Sequence, residues 1–321
     1  MGIVLEHLDA FPFTDPPHVL RRREELLLGD PLPIRARALR EHGPVEAVHF
    51  SPEYVDQPRS HPRGFYEADF LRLEVQSMDF RQGFYHRNAD VDELSYQVDG
   101  ERTLITELGT LEHVPGDFSR LPAGVSHDNH GRRDKHMLFY TPGPVRERVP
   151  AARLSEYLEV PFPGWEPAVQ NEMITEMLGG RNQGIHIAPI DERLLLETAE
   201  HNEGRLRLLR PAGTGWLYEA PRVLIGVTSA ASGDGRVYTC HRDADEIQYQ
   251  VSGTRTLVTQ RGALEIVPGD FVRVPMGVAF TSVHAGPSEH IMIAAAGTVP
   301  QVAETTKRGR RITAEEVEAL R

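Results

Sequence analysis

Three residues of metal-ligating type share one stretch of the chain. His86 is followed seven residues later by Glu93, and His127 stands behind the turn Pro122-Ala123-Gly124. Two imidazoles and one carboxylate can occupy one face of an octahedral ion and leave positions open for substrate, a set suited to Fe(II), with Mn, Ni or Zn also accommodated. His130, three residues past His127, is a candidate catalytic base or an alternative ligand. His136 is expected at the surface. The bland reading of any one of these residues is a solvated or hydrogen-bonded side chain. The sharper reading rests on three ligand types recurring in a defined context.

The elements that must position them read as short strands. Phe70–Gln76 alternates apolar and polar residues, as a half-buried strand does. Gly83, Asp99-Gly100, Leu108-Gly109, Pro115-Gly116-Asp117 and Pro122-Ala123-Gly124 then punctuate residues 84–141, the turn spacing of a sandwich or barrel. Within Glu93–Val98, Glu93, Ser95 and Gln97 share one strand face, and Leu94, Tyr96 and Val98 share the other. The polar face either meets solvent or lines a polar cavity.

The pattern occurs twice. Glu93–Gly124 aligns with Glu246–Gly277 without a gap at an offset of 153, and about 20 of the 32 positions are identical. The matches include Glu93/Glu246, Tyr96/Tyr249, Gln97/Gln250, Gly100/Gly253, Arg102/Arg255, Asp117/Asp270 and Arg120/Arg273. Two copies, each long enough for its own core, indicate a duplicated domain and not a solenoid. In the second copy His241 stands five residues before Glu246, Phe280 occupies the place of His127, and His284 lies four residues further on. That copy is expected to support the fold, its two ligands being too few for a transition ion.

These residues resemble the two motifs of the cupin superfamily: His86, Glu93 and Gly100 for the first, and Gly116, Pro122, Gly124 and His127 for the second. Where the family usually carries a further histidine, this chain has Asn88. The resemblance implies a mainly all-β chain with two tandem double-stranded β-barrels, a bicupin, carrying a few short helices and a metal on His86, Glu93 and His127. Tyr85-His86-Arg87-Asn88 is similar to the metal-binding run of the homogentisate 1,2-dioxygenase family, although the His-to-Glu spacing is one residue longer here. That likeness implies a mononuclear non-haem Fe(II) dioxygenase using O₂ on a small oxygenated substrate such as a catechol or hydroquinone. Asn88, Tyr96, Gln97, Arg102 and Arg120 are its candidate substrate contacts, arginine being suited to a carboxylate; Arg102 and Arg120 recur in the second copy and have a structural reading too. The alternatives are a redox-neutral metal enzyme (isomerase, decarboxylase or hydrolase) and a non-enzymatic small-molecule-binding bicupin. Bicupins often associate further, so a homo-oligomer is compatible.

Composition narrows the partners. A formal net charge of −12 over 321 residues argues against nucleic acid, since Arg21–Arg23 and Lys307–Arg311 are the only dense basic runs. A single cysteine, Cys240, excludes an intrachain disulfide and fits a reducing compartment. No apolar run approaches a membrane span, and the N-terminus lacks a secretory pattern, so a cytoplasmic location is expected.

The expected division is an N-terminal extension plus metal-competent barrel over 1–150, a connector over 151–204, and a degenerate barrel with a terminal helix over 205–321. Helices are expected near His18–Leu28, Ile34–His42 and Asp191–His201. Another is expected at the C-terminus, where Thr313 and Glu316 form a capping-box pattern.

Overall fold

The computed structural model describes residues 2–29, 42–57, 60–159, 161, 163, 165–179 and 184–321. The chain divides into two compact units, one comprising Pro52–Arg210 with Glu219–Pro221, the other the segment through Ser51 with Pro211–Tyr218 and Arg222–Arg321. Each contains a double-stranded antiparallel β-barrel.

In the first barrel two 15-residue strands, Asp92–Thr106 and His127–Thr141, run through both faces. Their distal halves pair Glu101–Thr106 with His127–Arg132, and their proximal halves pair Asp92–Asp99 with Lys135–Thr141, across register shifts between Arg132 and His136. Leu71–Met78 and Phe118–Leu121 extend the proximal face, while Gly109–His113 and Tyr85–Asn88 extend the distal one. The bend turns on Gly100 at φ 66°, where an added Cβ would overlap the Arg133 carbonyl. Only glycine fits there.

The second barrel breaks the same long strands in two. Ala244–Ser252 and Arg255–Thr259 replace the first, and Phe280–His284 and Ser288–Ala296 replace the second. Two separate sheets result, with Val223–Ala230, Ser288–Ala296, Ala244–Ser252 and Asp270–Val274 adjacent in one, and Val237–His241, Phe280–His284, Arg255–Thr259 and Gly262–Ile266 adjacent in the other. The duplication expected from sequence is therefore a duplication of architecture.

The shared residues mostly build turns. Asp117 and Asp270 each accept a backbone N–H three residues upstream, from Val114 at 3.0 Å and Val267 at 2.8 Å. Each is then paired with cations, Asp117 with Arg153 and Arg210, Asp270 with Lys307. Arg120 pairs with Asp92 at 3.2 Å and Arg273 with Asp245 at 2.8 Å, so Arg120 braces the barrel in both copies.

The expected domain bounds require correction at both ends of the first barrel. Residues 1–150 do not form one unit, because Ile3–Asp9 pairs in parallel with Val237–His241 and Glu46–His49 pairs antiparallel with Asp270–Val272. Both extend sheets of the second barrel. The stretch 151–204 is no detached connector either, since Asn171–Glu176 joins the first barrel by pairing in parallel with Tyr85–Asn88.

The helix expected over His18–Leu28 is a strand, His18–Arg23, followed by the four-residue helix Glu24–Leu27. Pairing with Ile3–Leu8 overrides the local helical signal. The helix expected near Ile34–His42 lies outside the described residues apart from His42. Glu192–His201 is helical with Asp191 accepting from the Arg193 N–H, and Ala314–Leu320 carries the full Thr313–Glu316 capping box.

Candidate metal centre and its cavity

The long strands bring the three ligand candidates together. His127 and His86 are register partners on adjacent strands, with ring centroids 3.8 Å apart. Glu93 reaches both: its Oε1 lies 3.5 Å from His127 Nε2 and its Oε2 lies 4.0 Å from His86 Nε2. One ligand atom from each residue falls within 4.8 Å of the others, and no other group among the described residues assembles three His, Cys, Asp or Glu side chains in this way.

The surroundings fix each ligand. The Gln82 side-chain amide meets His86 Nδ1 at 2.8 Å, turning Nε2 toward Glu93. Asn88 Nδ2 donates to Glu93 Oε2 at 3.0 Å, so Asn88 positions the carboxylate instead of serving as a ligand. Behind the cluster, Arg81 donates to Asp128 at 2.8 Å and to Glu192 at 2.6 Å, and its guanidinium lies over the Trp165 ring. This network ties the strand carrying His127 to the helix Glu192–His201.

Electrostatics suit a cation. Burial lowers His86 to about 4 and holds His127 well below the ordinary histidine value, with His86 and Arg102 adding to the shift at His127. Both imidazoles are thus neutral and can offer lone pairs. Burial raises Glu93 to about 7, against the opposing pull of Arg102 and the Asn88 hydrogen bond. His127 is fully buried, and its Nε2, which faces Glu93, has no hydrogen-bond partner. A buried imidazole left so costs free energy. A divalent cation between His86, Glu93 and His127 would satisfy His127 and offset the burial of the Glu93 charge, so these residues fit a metal.

The cluster opens on a cavity of about 410 Å³, whose walls include His86, Glu93, Asn129 and His136 together with Glu74 and Glu176. The polar strand face is therefore interior, not solvated.

His130 is placed on the face opposite His127 by strand alternation and is not among the cavity residues. It does not sit as a base toward the cluster. His136, expected at the surface, is buried and lines the cavity, its Nδ1 2.7 Å from Asp134 Oδ2, because the register shift before it reverses the alternation.

Of the other expected substrate contacts, none lines the cavity. Tyr96 packs on Phe118 at 4.5 Å between ring centroids, Gln97 donates to Asp134 at 2.6 Å, and Arg102 donates to Ser95 at 2.7 Å within the barrel. Arg255 is held the same way by Gln248 at 2.7 Å, which gives both arginines a structural role. Sequence reasoning missed Gln82, Glu74 and Glu176. Asn129 was accessible, since it repeats the face of His127 two residues on.

The equivalent place in the second barrel is closed. At the offset of 153, Thr239 corresponds to His86, Phe280 to His127, and His241 to Asn88. The structure agrees: Thr239 pairs with Phe280 as His86 pairs with His127, and His241 Nε2 contacts Glu246 Oε2 at 2.7 Å where Asn88 contacts Glu93. Asp9 takes the other ring nitrogen of His241 at 2.6 Å. Burial opposes charge on this imidazole, but the hydrogen bonds it donates to Asp9 and Glu246 outweigh it and raise His241 to about 10. An imidazolium thus stands where the first barrel has an open ligand cluster.

No protein-family profile matches the chain, and no curated protein matches it. Solved structures do. A cupin 2 conserved barrel domain protein from Leptotrichia buccalis superimposes with a TM-score of 0.49 at 9% identity, over 79% of this chain and 98% of that one. Oxalate decarboxylase from Bacillus subtilis gives 0.42 at 14% identity, over 81% of each chain, and the protein Ylba from E. coli gives 0.44 at 13% identity, over 85% and 97%.

Proposed function

We propose that the first barrel is a mononuclear metal-dependent enzyme acting on a small molecule that enters the cavity beside His86. The observation that carries this is the convergence of His86, Glu93 and His127, with His127 Nε2 lacking a hydrogen-bond partner, beside an open cavity. A divalent metal bound there would supply Lewis-acid polarisation of a substrate oxygen.

The chain's own residues favour redox-neutral chemistry. Burial and the neighbouring Glu74 raise the Glu176 carboxyl to about 7. A cavity-lining group with that value can hold or release a proton near neutrality, as a general acid or base must. Gln82 and Asn88 orient ligands, and the apolar side chains of Phe80, Phe84 and Leu138 restrict water. This is the chemistry of an isomerase, decarboxylase or hydrolase.

The second reading is an Fe(II) dioxygenase of a phenolic substrate, favoured by the two-histidine, one-carboxylate set itself. Elemental analysis of anaerobically purified protein, then turnover screens with and without O₂, separate the readings. Turnover under strict anaerobiosis with no O₂ uptake is expected. Strict dependence on O₂ would transfer the case to the dioxygenase, and absence of stoichiometric metal would sink both.

A further inference from the structure

The cavity carries more carboxyl groups than a metal ligand set needs. Besides Glu93 it is lined by Glu74, Glu172 and Glu176, while no lysine or arginine among the described residues lines it. Glu74 is fully buried and bonded by Arg72 Nε at 2.7 Å. Burial and Glu74 raise the Glu176 carboxyl against the weaker pull of Arg72.

Asn129 supplies an independent sign of a missing ligand. It lies on the same strand face as His127, is 4% exposed and lines the cavity, and its Oδ1 is a buried acceptor with no donor. Buried acceptors without donors are rare because each costs the desolvation of the group. A wall of carboxylates and one vacant amide oxygen accepts N–H donors and disfavours an anion, which would lose its hydration and gain like-charge neighbours.

We propose that this cavity selects a substrate bearing a protonated amine, received by the acceptor wall of Glu74, Glu176 and Asn129. That another part of the substrate faces His86, Glu93 and His127 rests on the metal-enzyme reading; the recognition of the ammonium does not. Phe84, Leu138 and Ile174 accept the carbon framework between the two ends. The carboxylate-bearing aromatic substrates implied by Arg102 and Arg120 have no counterpart on this wall.

Benzylammonium, benzyl alcohol and benzoate share a shape and differ in charge, so they probe the wall directly. Calorimetric titration of each into metal-loaded and metal-stripped protein is expected to show benzylammonium binding at least about tenfold more tightly than benzoate in both forms. Glu176→Gln is expected to remove most of that preference while metal content stays at that of the parent protein. Benzoate binding as tightly as benzylammonium in the stripped form would overturn the proposal, as would no benzylammonium binding up to about 10 mM or an unchanged preference in a folded Glu176→Gln protein.

Should Glu176→Gln fail to fold, Glu172→Gln and the wild-type probe series carry the test. Arg59 and Arg181 adjoin the cavity segments in sequence and lie outside the described residues, so Arg59→Ala and Arg181→Ala are titrated alongside. A benzoate preference that either substitution removes would overturn the proposal. Metal content on the same samples separates the outcomes: amine preference without metal defeats the metal reading alone, and metal with benzoate preference defeats this inference alone.

Discussion

Among the three candidate ligands, Glu93 is the one whose protonation should govern metal binding. It coordinates only as a carboxylate, and burial raises it to about 7. His86, lowered to about 4, and His127, held well below its ordinary value, do not compete with protons for the metal near neutrality. Affinity for a divalent metal should therefore be level above roughly pH 8 and fall about tenfold per pH unit below 7. Chelator-competition titrations from pH 5 to 9 read this. A curve that stays level to pH 5 would show that the carboxyl is not raised. Glu93→Gln should bring metal content to background at every pH, as should His127→Ala.

The same raised carboxyl works against the fold in metal-free protein. A folded value above the unfolded one favours the protonated form, so this contribution is lost as pH rises from about 4.5 through 7. Stripped protein should unfold at a lower temperature at pH 7.5 than at pH 5.5, and metal should narrow that gap. Equal midpoints across that window in stripped protein would count against it.

Secondary elements far apart in sequence complete both ligand environments. Ile3–Asp9 reaches His241 only because it adds in parallel to Val237–His241, with Asp9 opposite His241 in the register. The imidazolium is raised from 6.5 to about 10, so its stabilisation is fully present below pH 6.5 and is lost as pH rises through 10. Asp9→Asn should destabilise the second barrel by about 1–3 kcal/mol at pH 6.5, and by less near pH 10. Urea titrations at the two pH values decide it, and an equal loss at both would mean that Asp9 acts through packing.

In the first barrel Arg81→Met would leave Asp128 and Glu192 buried without their shared cation. Asp128 already sits at about 7 because burial raises it against the pull of Arg81. A loss of about 3 kcal/mol is expected by denaturation; a neutral substitution would remove this network from the account of how the helix Glu192–His201 is held.

These elements mark the boundary of what local pattern can reveal. The turns at Asp99-Gly100 and Pro115-Gly116-Asp117 are legible because glycine and proline report backbone geometry within a few residues. The strand face carrying Glu93 is legible because alternation is local. Asn171–Glu176 is different: nothing in Asn-Glu-Met-Ile-Thr-Glu announces a parallel pairing with Tyr85–Asn88, yet that pairing contributes Ile174 and Glu176 to the cavity. His136 enters the cavity for the same kind of reason, since a register shift inverts every side chain beyond it, whereas plain alternation already turns His130 from the face of His127.

At the scale of the whole chain, the two copies depart from one another at their ligand positions in two ways. The first copy keeps His86, Glu93 and His127 and has Asn88 where the second keeps His241; the second has Thr239 and Phe280 where the first keeps its histidines. Sequence identity across the repeat lies mainly in scaffold residues, which explains why the fold was more legible than the chemistry. The gapless offset of 153 already aligns His241 with Asn88 and Thr239 with His86, and the register agrees.

That assignment carries a prediction for stoichiometry. Phe280 packs 5.8 Å from the His241 ring, and Phe13 lies 4.7 Å from it on centroid distances, so apolar contacts and two carboxylates already satisfy this imidazole. For His241 to ligate near pH 7.5 it must first lose a proton held at about 10, a cost of about 3 kcal/mol before any reorganisation. Wild-type protein should bind one metal per chain. Phe280→His should still bind one, although it restores the histidine of the second motif, because His241 remains an ion pair and Thr239 offers no imidazole. Elemental analysis after saturation and desalting gives the count, and a second equivalent in Phe280→His would show that the ion pair yields to metal and that the second barrel is a dormant site.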